Sequence, residues 1–312
     1  MNLKRSRLKI STIPIAIIFC VCAQSLAQWP RFHGNSLNTG VVPGAEGYAG
    51  SYNTLWTFPI SLYTNSSPAL ADIDDDGLLE VVIASCEEAL FALNGEDGSM
   101  LWSYPLTQTS NSGAPIINDF DGDSKPEVAF ASADSLIVLE GETGTLIWSE
   151  PIVGFIGRSV SSADLDGDGT PELIYASNDT TRAYDGETGA VLWAVSGYWV
   201  SSYGSAVAED TDFDGAAEVM SFSLGNSCFC LLDGTDGSLI WDTPVEISTT
   251  IGTPSPAFAD LDLDGYPEIV SCSGDDDFYV LNSDDGSVKW SVHLQHRPYA
   301  SPCLLDLAGN DS

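Results

Sequence analysis

The sequence predicts an all-β fold: a β-propeller built of four-stranded blades. Three observations predict it. An acidic loop motif recurs five times, a glycine turn followed by a strand ending in Trp trails each copy, and no helical periodicity of useful length appears in the mature chain. Trp56, Trp102, Trp148, Trp193, Trp241 and Trp290 stand 46, 46, 45, 48 and 49 residues apart. A fixed period of that size marks a unit that buries its apolar faces only by stacking on its neighbours.

Within one period the elements follow in order. Ser67–Ala71 is a short strand that leads into the acidic loop, and the β-branched run Glu80–Ala84 leaves it. Leu90–Leu93 is a third strand, then comes Asn94-Gly95-Glu96-Asp97-Gly98, then a fourth strand running to Trp102. Two apolar runs split by a Gly-containing turn read as a hairpin. The hairpin returns at Leu139 to Trp148, Tyr184 to Trp193, Leu232 to Trp241 and Leu281 to Trp290. Four short strands in about 46 residues make one propeller blade. Blades are expected at approximately 66–106, 112–152, 158–197, 204–245 and 254–294, with partial-blade strands at 53–60 and 300–312. Five blades and two fragments do not close a ring. The expectation is a chain truncated from a propeller of about six to eight blades. The Trp series is read as packing between neighbouring blades.

The acidic loop places carboxylates at positions 1, 3, 5 and 9. The copies are Asp72, Asp74, Asp76 and Glu80; Asp119, Asp121, Asp123 and Glu127; Asp164, Asp166, Asp168 and Glu172; Asp210, Asp212, Asp214 and Glu218; and Asp260, Asp262, Asp264 and Glu268. Alternate residues of a curled loop can turn their oxygens to one centre, the cage a hard divalent cation requires. Position 7 (Leu78, Lys125, Thr170, Ala216, Tyr266) varies freely, as expected where only a backbone carbonyl is used. Position 6 is Gly77, Gly169, Gly215 and Gly265, where a sharp turn favours positive φ; the second copy has Ser124 and is the one this argument supports least. An Asp-Gly surface turn accounts for one such copy but not for five in register. An EF-hand needs its bidentate Glu at position 12, which here is Ile83, Phe130, Tyr175, Ser221 and Ser271. The implied cofactor is Ca²⁺, up to five ions.

Residues 1–27 carry Lys4, Arg5, Arg7 and Lys9, the apolar run Ile13–Val21, and Ser25-Leu26-Ala27. This is the pattern of a cleavable secretory signal, cut after Ala27. It predicts a secreted, periplasmic or cell-surface protein. The apolar run is too short to span a membrane, and no later segment approaches 18 apolar residues. Phe19 and Val21 precede Cys20 and Cys22, where a lipoprotein signal needs a small residue. Residues 28–52, rich in Gly, Asn and Ser, read as an N-terminal arm. The mature chain keeps 6 basic residues against 45 acidic ones, a formal charge of 6 − 45 = −39. Nucleic acid and anionic membrane surfaces, which need a basic footprint, are disfavoured as partners. Cys86, Cys228, Cys230, Cys272 and Cys303 remain, read mainly as small buried hydrophobes, with disulfides as the alternative.

The Ser-x-Pro lead-in followed by Asp-x-Asp-x-Asp-Gly-x-x-Glu resembles the FG-GAP/VCBS repeats of integrin-α-like propellers. Gly113-Ala114-Pro115 spells the second half of that motif. The Leu232 to Trp241 type of hairpin resembles the repeats of quinoprotein (PQQ) propellers, as does the opening Trp29-Pro30-Arg31-Phe32-His33-Gly34. The resemblance covers roughly residues 29–312. It implies structural calcium in the blade loops and ligand recognition on the opposite face. The links on that face carry Tyr63, Phe155, Arg158, Tyr198, Trp199, Tyr203, His293, His296, Arg297 and Tyr299. Phe155, Arg158, Tyr198, Trp199, His296, Arg297 and Tyr299 are the candidate ligand-binding residues. Aromatics beside Arg suit an extracellular protein or glycan, and ordinary blade-junction packing is the alternative.

Two enzyme readings stand beside the recognition module. A quinoprotein dehydrogenase binds a tricarboxylate cofactor, for which this chain offers few basic partners. That family's alcohol dehydrogenases use adjacent cysteines, whereas Phe229 separates Cys228 from Cys230. A polysaccharide lyase needs a base and a cation at a uronate, and His293, His296 and Arg297 are the only cluster offered. No catalytic residue is assigned.

Overall fold

The second strand of a blade is wholly buried where its apolar run is sandwiched between neighbouring sheets, as in Glu80–Ala84, Glu127–Ala131, Glu218–Ser223 and Glu268–Cys272. In blade 1, β1 (Ala69–Ala71), β2 (Glu80–Ala84), β3 (Ala89–Asn94) and β4 (Met100–Pro105) pair antiparallel in that order. Blade 2 holds β5 (Ile116–Asn118), β6 (Glu127–Ala131), β7 (Ser135–Glu140) and β8 (Leu146–Pro151). Blade 3 holds β9 (Ser161–Ala163), β10 (Glu172–Ser177), β11 (Thr180–Tyr184) and β12 (Val191–Ser196). Blade 4 holds β13 (Val207–Glu209), β14 (Glu218–Ser223), β15 (Cys228–Leu232) and β16 (Leu239–Pro244). Blade 5 holds β17 (Ala257–Ala259), β18 (Glu268–Cys272), β19 (Asp277–Asn282) and β20 (Val288–His293). This computed structural model describes residues 54–60, 64, 66–85, 89–106, 113–152, 159–177, 180–197, 205–223, 227–245, 254–273, 276–294 and 301–302. The signal segment, the N-terminal arm, Cys86 and Cys303 lie outside them. No helix occurs among the described residues.

The register fixes where the acidic residues sit. Ala71 pairs with Glu80, Asn118 with Glu127, Ala163 with Glu172, Glu209 with Glu218 and Ala259 with Glu268. Each acidic loop therefore closes the first hairpin of its blade, with the position 9 Glu as the first residue of the second strand. The third and fourth strands carry one register shift per blade, beside the turn. β1 lies against β5 and β9 against β13, so the first strands stand side by side. Apolar clusters join blade 1 to blade 2, blade 2 to blade 3, and blades 3 to 5 in one run. The face of blade 1 towards the N-terminus packs against Trp56 and Phe58.

The tryptophans clamp one blade to the next. In four fourth strands the pattern of burial leaves Trp as the one buried residue. The indole N–H of Trp102 donates to the carbonyl of Gly141 at 2.7 Å, Trp148 to Gly186 at 2.8 Å, Trp193 to Gly234 at 2.6 Å, and Trp241 to Ser283 at 2.7 Å. Trp56 makes the same bond to Gly95 at 2.8 Å. The indole face lies flat on a later glycine of the same turn: a Cβ on Gly189 would stand 2.7 Å from the Trp148 ring. Glycine at that place is thus a packing requirement as well as a positive-φ one. A second link recurs at the lead-ins of blades 2 and 4, where Ala114 N–H donates to Ser159 Oγ at 2.8 Å and Ser205 N–H to Ser255 Oγ at 2.8 Å. Trp148→Phe keeps the ring and leaves the Gly186 carbonyl without its buried donor. Urea unfolding is expected to show a loss of about 1–2 kcal/mol. A change within error of zero would remove that bond from the account.

Cys228, Cys230 and Cys272 are buried and unbridged. Burial pushes the thiol of Cys272 up to about 11, and that of Cys230 higher still. These cysteines pack as small apolar groups.

Candidate metal centres

Each acidic loop is organised by its own backbone. The N–H of position 2 donates inward to Oε2 of the position 9 Glu: Ile73 to Glu80 at 2.9 Å, Phe120 to Glu127 at 2.8 Å, Leu165 to Glu172 at 2.7 Å, Thr211 to Glu218 at 2.7 Å and Leu261 to Glu268 at 2.7 Å. The position 6 N–H donates to Oδ2 of the position 1 Asp in every copy, at 2.8–3.0 Å. The position 7 N–H donates to Oδ1 of the position 5 Asp, at 2.7–2.9 Å. Three carboxylates thus hold the curl of the loop, which leaves other oxygens of the same groups free to point at a centre.

Positions 1, 3 and 9 do converge. Ligand oxygens of Asp72, Asp74 and Glu80 lie within 4.8 Å of one another, as do those of Asp119, Asp121 and Glu127, of Asp164, Asp166 and Glu172, of Asp210, Asp212 and Glu218, and of Asp260, Asp262 and Glu268. Position 5 (Asp76, Asp123, Asp168, Asp214, Asp264) stands outside these groups, each residue accepting the N–H two residues on. The five triads could hold a metal ion.

Two further features bear on that fit. Glu80 is fully buried, yet its Oε1 and the Oδ1 of Asp72 have no hydrogen-bond partner. Buried carboxylate oxygens without a partner are costly unless a cation faces them. Burial, followed by the neighbouring aspartates, pushes the carboxyls of Glu80, Glu127 and Glu172 up to about 7. Burial raises Glu218 as well. Glu209, which directly precedes the fourth loop, is pushed up to about 7 by burial and then by Asp210 and Glu218. The first four loops are therefore strained as bare anions, and their donor set is all oxygen.

The turn has a second special position that glycine content alone does not reveal. Position 4 adopts positive φ in all five loops: Asp75 at 60°, Gly122 at 75°, Gly167 at 77°, Phe213 at 64° and Leu263 at 64°. Ser124 also takes φ of 72°, so the second loop keeps the shape of the others without its glycine. Adjacent loops touch. The N–H of Ala217 donates to the carbonyl of Asp164 at 2.8 Å, and the rings of Phe213 and Tyr266 lie 5.5 Å apart.

The fifth loop differs in one contact. Lys289, from β20, places its ammonium on Asp262 Oδ2 and, at 2.7 Å, on Glu268 Oε1. This lowers the Asp262 carboxyl and raises the Lys289 amine. Lys125, by contrast, pairs with Glu142 on the surface at 3.7 Å. On the opposite face, His293 Nδ1 lies 2.7 Å from Asp277 Oδ1. Phe155, Arg158, Tyr198, Trp199, His296, Arg297 and Tyr299 all lie outside the described residues, as do Tyr63 and Tyr203. Among the described residues no helix is long and apolar enough to cross a membrane.

The model of the FG-GAP-like repeat family matches residues 72–130, 119–175 and 210–271, each stretch spanning two consecutive acidic loops. No curated protein matches the sequence. Among solved structures, the biofilm matrix protein Bap1 of V. cholerae is similar over 77% of this chain and 42% of that chain, at 23% identity and a TM-score of 0.57. The quinohemoprotein alcohol dehydrogenase of Comamonas testosteroni is similar over 86% of this chain and 49% of that one, at 14% identity and a TM-score of 0.61. The rhamnogalacturonan lyase YesW is similar over 74% of this chain and 51% of that one, at 18% identity and a TM-score of 0.55. The chain spans about half the length of these three proteins, and at such identities the likeness is one of fold.

Proposed function

Because the chain belongs to the FG-GAP-like repeat family, whose model matches more than half of its 312 residues, we propose that it is a secreted, calcium-binding propeller. It acts as a recognition or adhesion module, and calcium has a structural role in the blade loops. One observation carries the reading. Asp, Asp and Glu converge in every blade, and in the first blade two buried oxygens of that set have no donor from the protein. In the ion's presence, the residues at positions 1, 3 and 9 would hold it, and the loop spacing offers position 5 and the position 7 carbonyl as further oxygens. The ion supplies the positive charge that lets the buried Glu remain ionised inside the fold.

Sites of this kind in extracellular modules need bind only at ~10⁻⁴–10⁻³ M. The basic leader points to export. The biofilm matrix protein among the fold neighbours offers a precedent for such a fold in a biofilm matrix. The partner is an extracellular protein or glycan, read by the aromatic links opposite the acidic loops. A glycan array and a pull-down from extracellular protein, each run with Ca²⁺ and with chelator, test the reading. Calcium-dependent capture of one ligand class is the expected result. Cleavage of a uronate polymer, or a quinone absorbance in the purified protein, would instead select the enzyme readings.

A further inference from the structure

We propose that Lys289 is the resident cation of the fifth acidic loop, so that a divalent ion enters there only by expelling the protein's own ammonium. The inference rests on reading the other loops as divalent-cation sites. The second residue of the fourth strand is Leu101, Ile147, Leu192 and Ile240 in blades 1 to 4, each an exposed apolar side chain. Blade 5 alone puts a cation there. Its ammonium reaches Asp262 at position 3 and Glu268 at position 9, two of the three residues that converge in the loop. Glu268 is then fully used: Oε2 takes the Leu261 N–H at 2.7 Å and Oε1 takes Lys289 at 2.7 Å. In the first loop the matching oxygen, Glu80 Oε1, has no partner.

The tether decides the competition. A Lys side chain carries a compact point charge on a flexible stem, held beside the loop at a concentration that does not depend on the solution. A divalent ion must first release it, so the apparent affinity falls by the fraction of time the loop is free. Of the five described loops, four are thus open to exchangeable ions and the fifth holds its own cation. Its last described blade keeps one positive charge on Asp262 and Glu268 when calcium falls.

Calcium bound per chain, measured by equilibrium dialysis with the full protein and by calorimetric titration, tests this. The wild type is expected to bind four ions. Lys289→Ile, which installs the residue blades 2 and 4 already carry, is expected to bind five, with the fifth site tightened about tenfold or more. Lys289→Arg should stay at four. Glu80→Gln in the otherwise intact protein should cost one ion, whereas Glu268→Gln should cost none. Five ions in the wild type, or four in Lys289→Ile when circular dichroism shows it folded, would overturn the proposal while leaving the calcium reading intact. No bound ion in either protein would remove the calcium reading, and this inference with it.

Discussion

Chelating divalent ions is expected to lower the melting temperature by about 15 °C. At a free ion concentration ten times the dissociation constant, each site adds about 1.4 kcal/mol by mass action. Four such sites add about 6 kcal/mol, and for a domain of this size each kcal/mol moves the midpoint by about 2–4 °C. The loss is sharpened by what the empty loop contains. At about 4 Å, two carboxylates repel by ~1 kcal/mol in water and by ~4 kcal/mol at an effective dielectric near 20. Glu80, Glu127, Glu172 and Glu218 are buried, so the higher figure is the more relevant for them. Because Asp164 and Ala217 join the third loop to the fourth, the loss should appear as one broad cooperative shift. Thermal unfolding followed by circular dichroism, with calcium and with chelator, measures it. An unchanged midpoint would show that the loops are held by their own backbone hydrogen bonds and that the ion is dispensable to the fold.

The repeat made the architecture legible. A period near 46 residues, two apolar runs around each Gly turn and a Trp at a constant offset are local signals, and they identified all five blades and their strand order. The acids were legible for the same reason, since i, i+2 spacing survives any loop shape. Three features were not. Position 2 donates its backbone N–H to the buried Glu whatever its side chain, as Ile73, Phe120 and Thr211 show. The positive φ of Phe213 and Leu263 belongs to loop closure, and neither residue type advertises it. Lys289 acts on residues 21 and 27 positions away in sequence, a long-range contact that periodicity does not encode. The sequence did hold a trace of that last contact: one Lys among four aliphatic residues at the same place in the repeat.

Acidifying the ion-free protein from pH 8 towards pH 5 should stabilise it, which reverses the behaviour expected of the calcium-loaded form. The carboxyls of Glu80, Glu127 and Glu172 sit at about 7 in the folded chain against 4.5 when unperturbed, chiefly because they are buried. Between those two values the folded chain binds protons that the unfolded chain has released, so stability falls as pH rises through that window and levels off above pH 7. A shift of that size corresponds to about 3 kcal/mol per group, so three groups supply several kcal/mol. Calcium binding works in the opposite direction. The ion needs the ionised carboxylates and competes with those protons, so its stabilisation is full above pH 7 and fades below it. The melting temperatures with calcium and with chelator should therefore lie far apart at pH 8 and converge near pH 5. Glu172→Gln isolates the cause, because the amide mimics the protonated acid. It should raise the ion-free midpoint at pH 8, flatten its pH dependence and cost one bound ion. An ion-free midpoint that stays level from pH 8 to pH 5.5 would mean that the loops accommodate their charge by admitting water, and the buried glutamates would lose their place as the source of metal dependence.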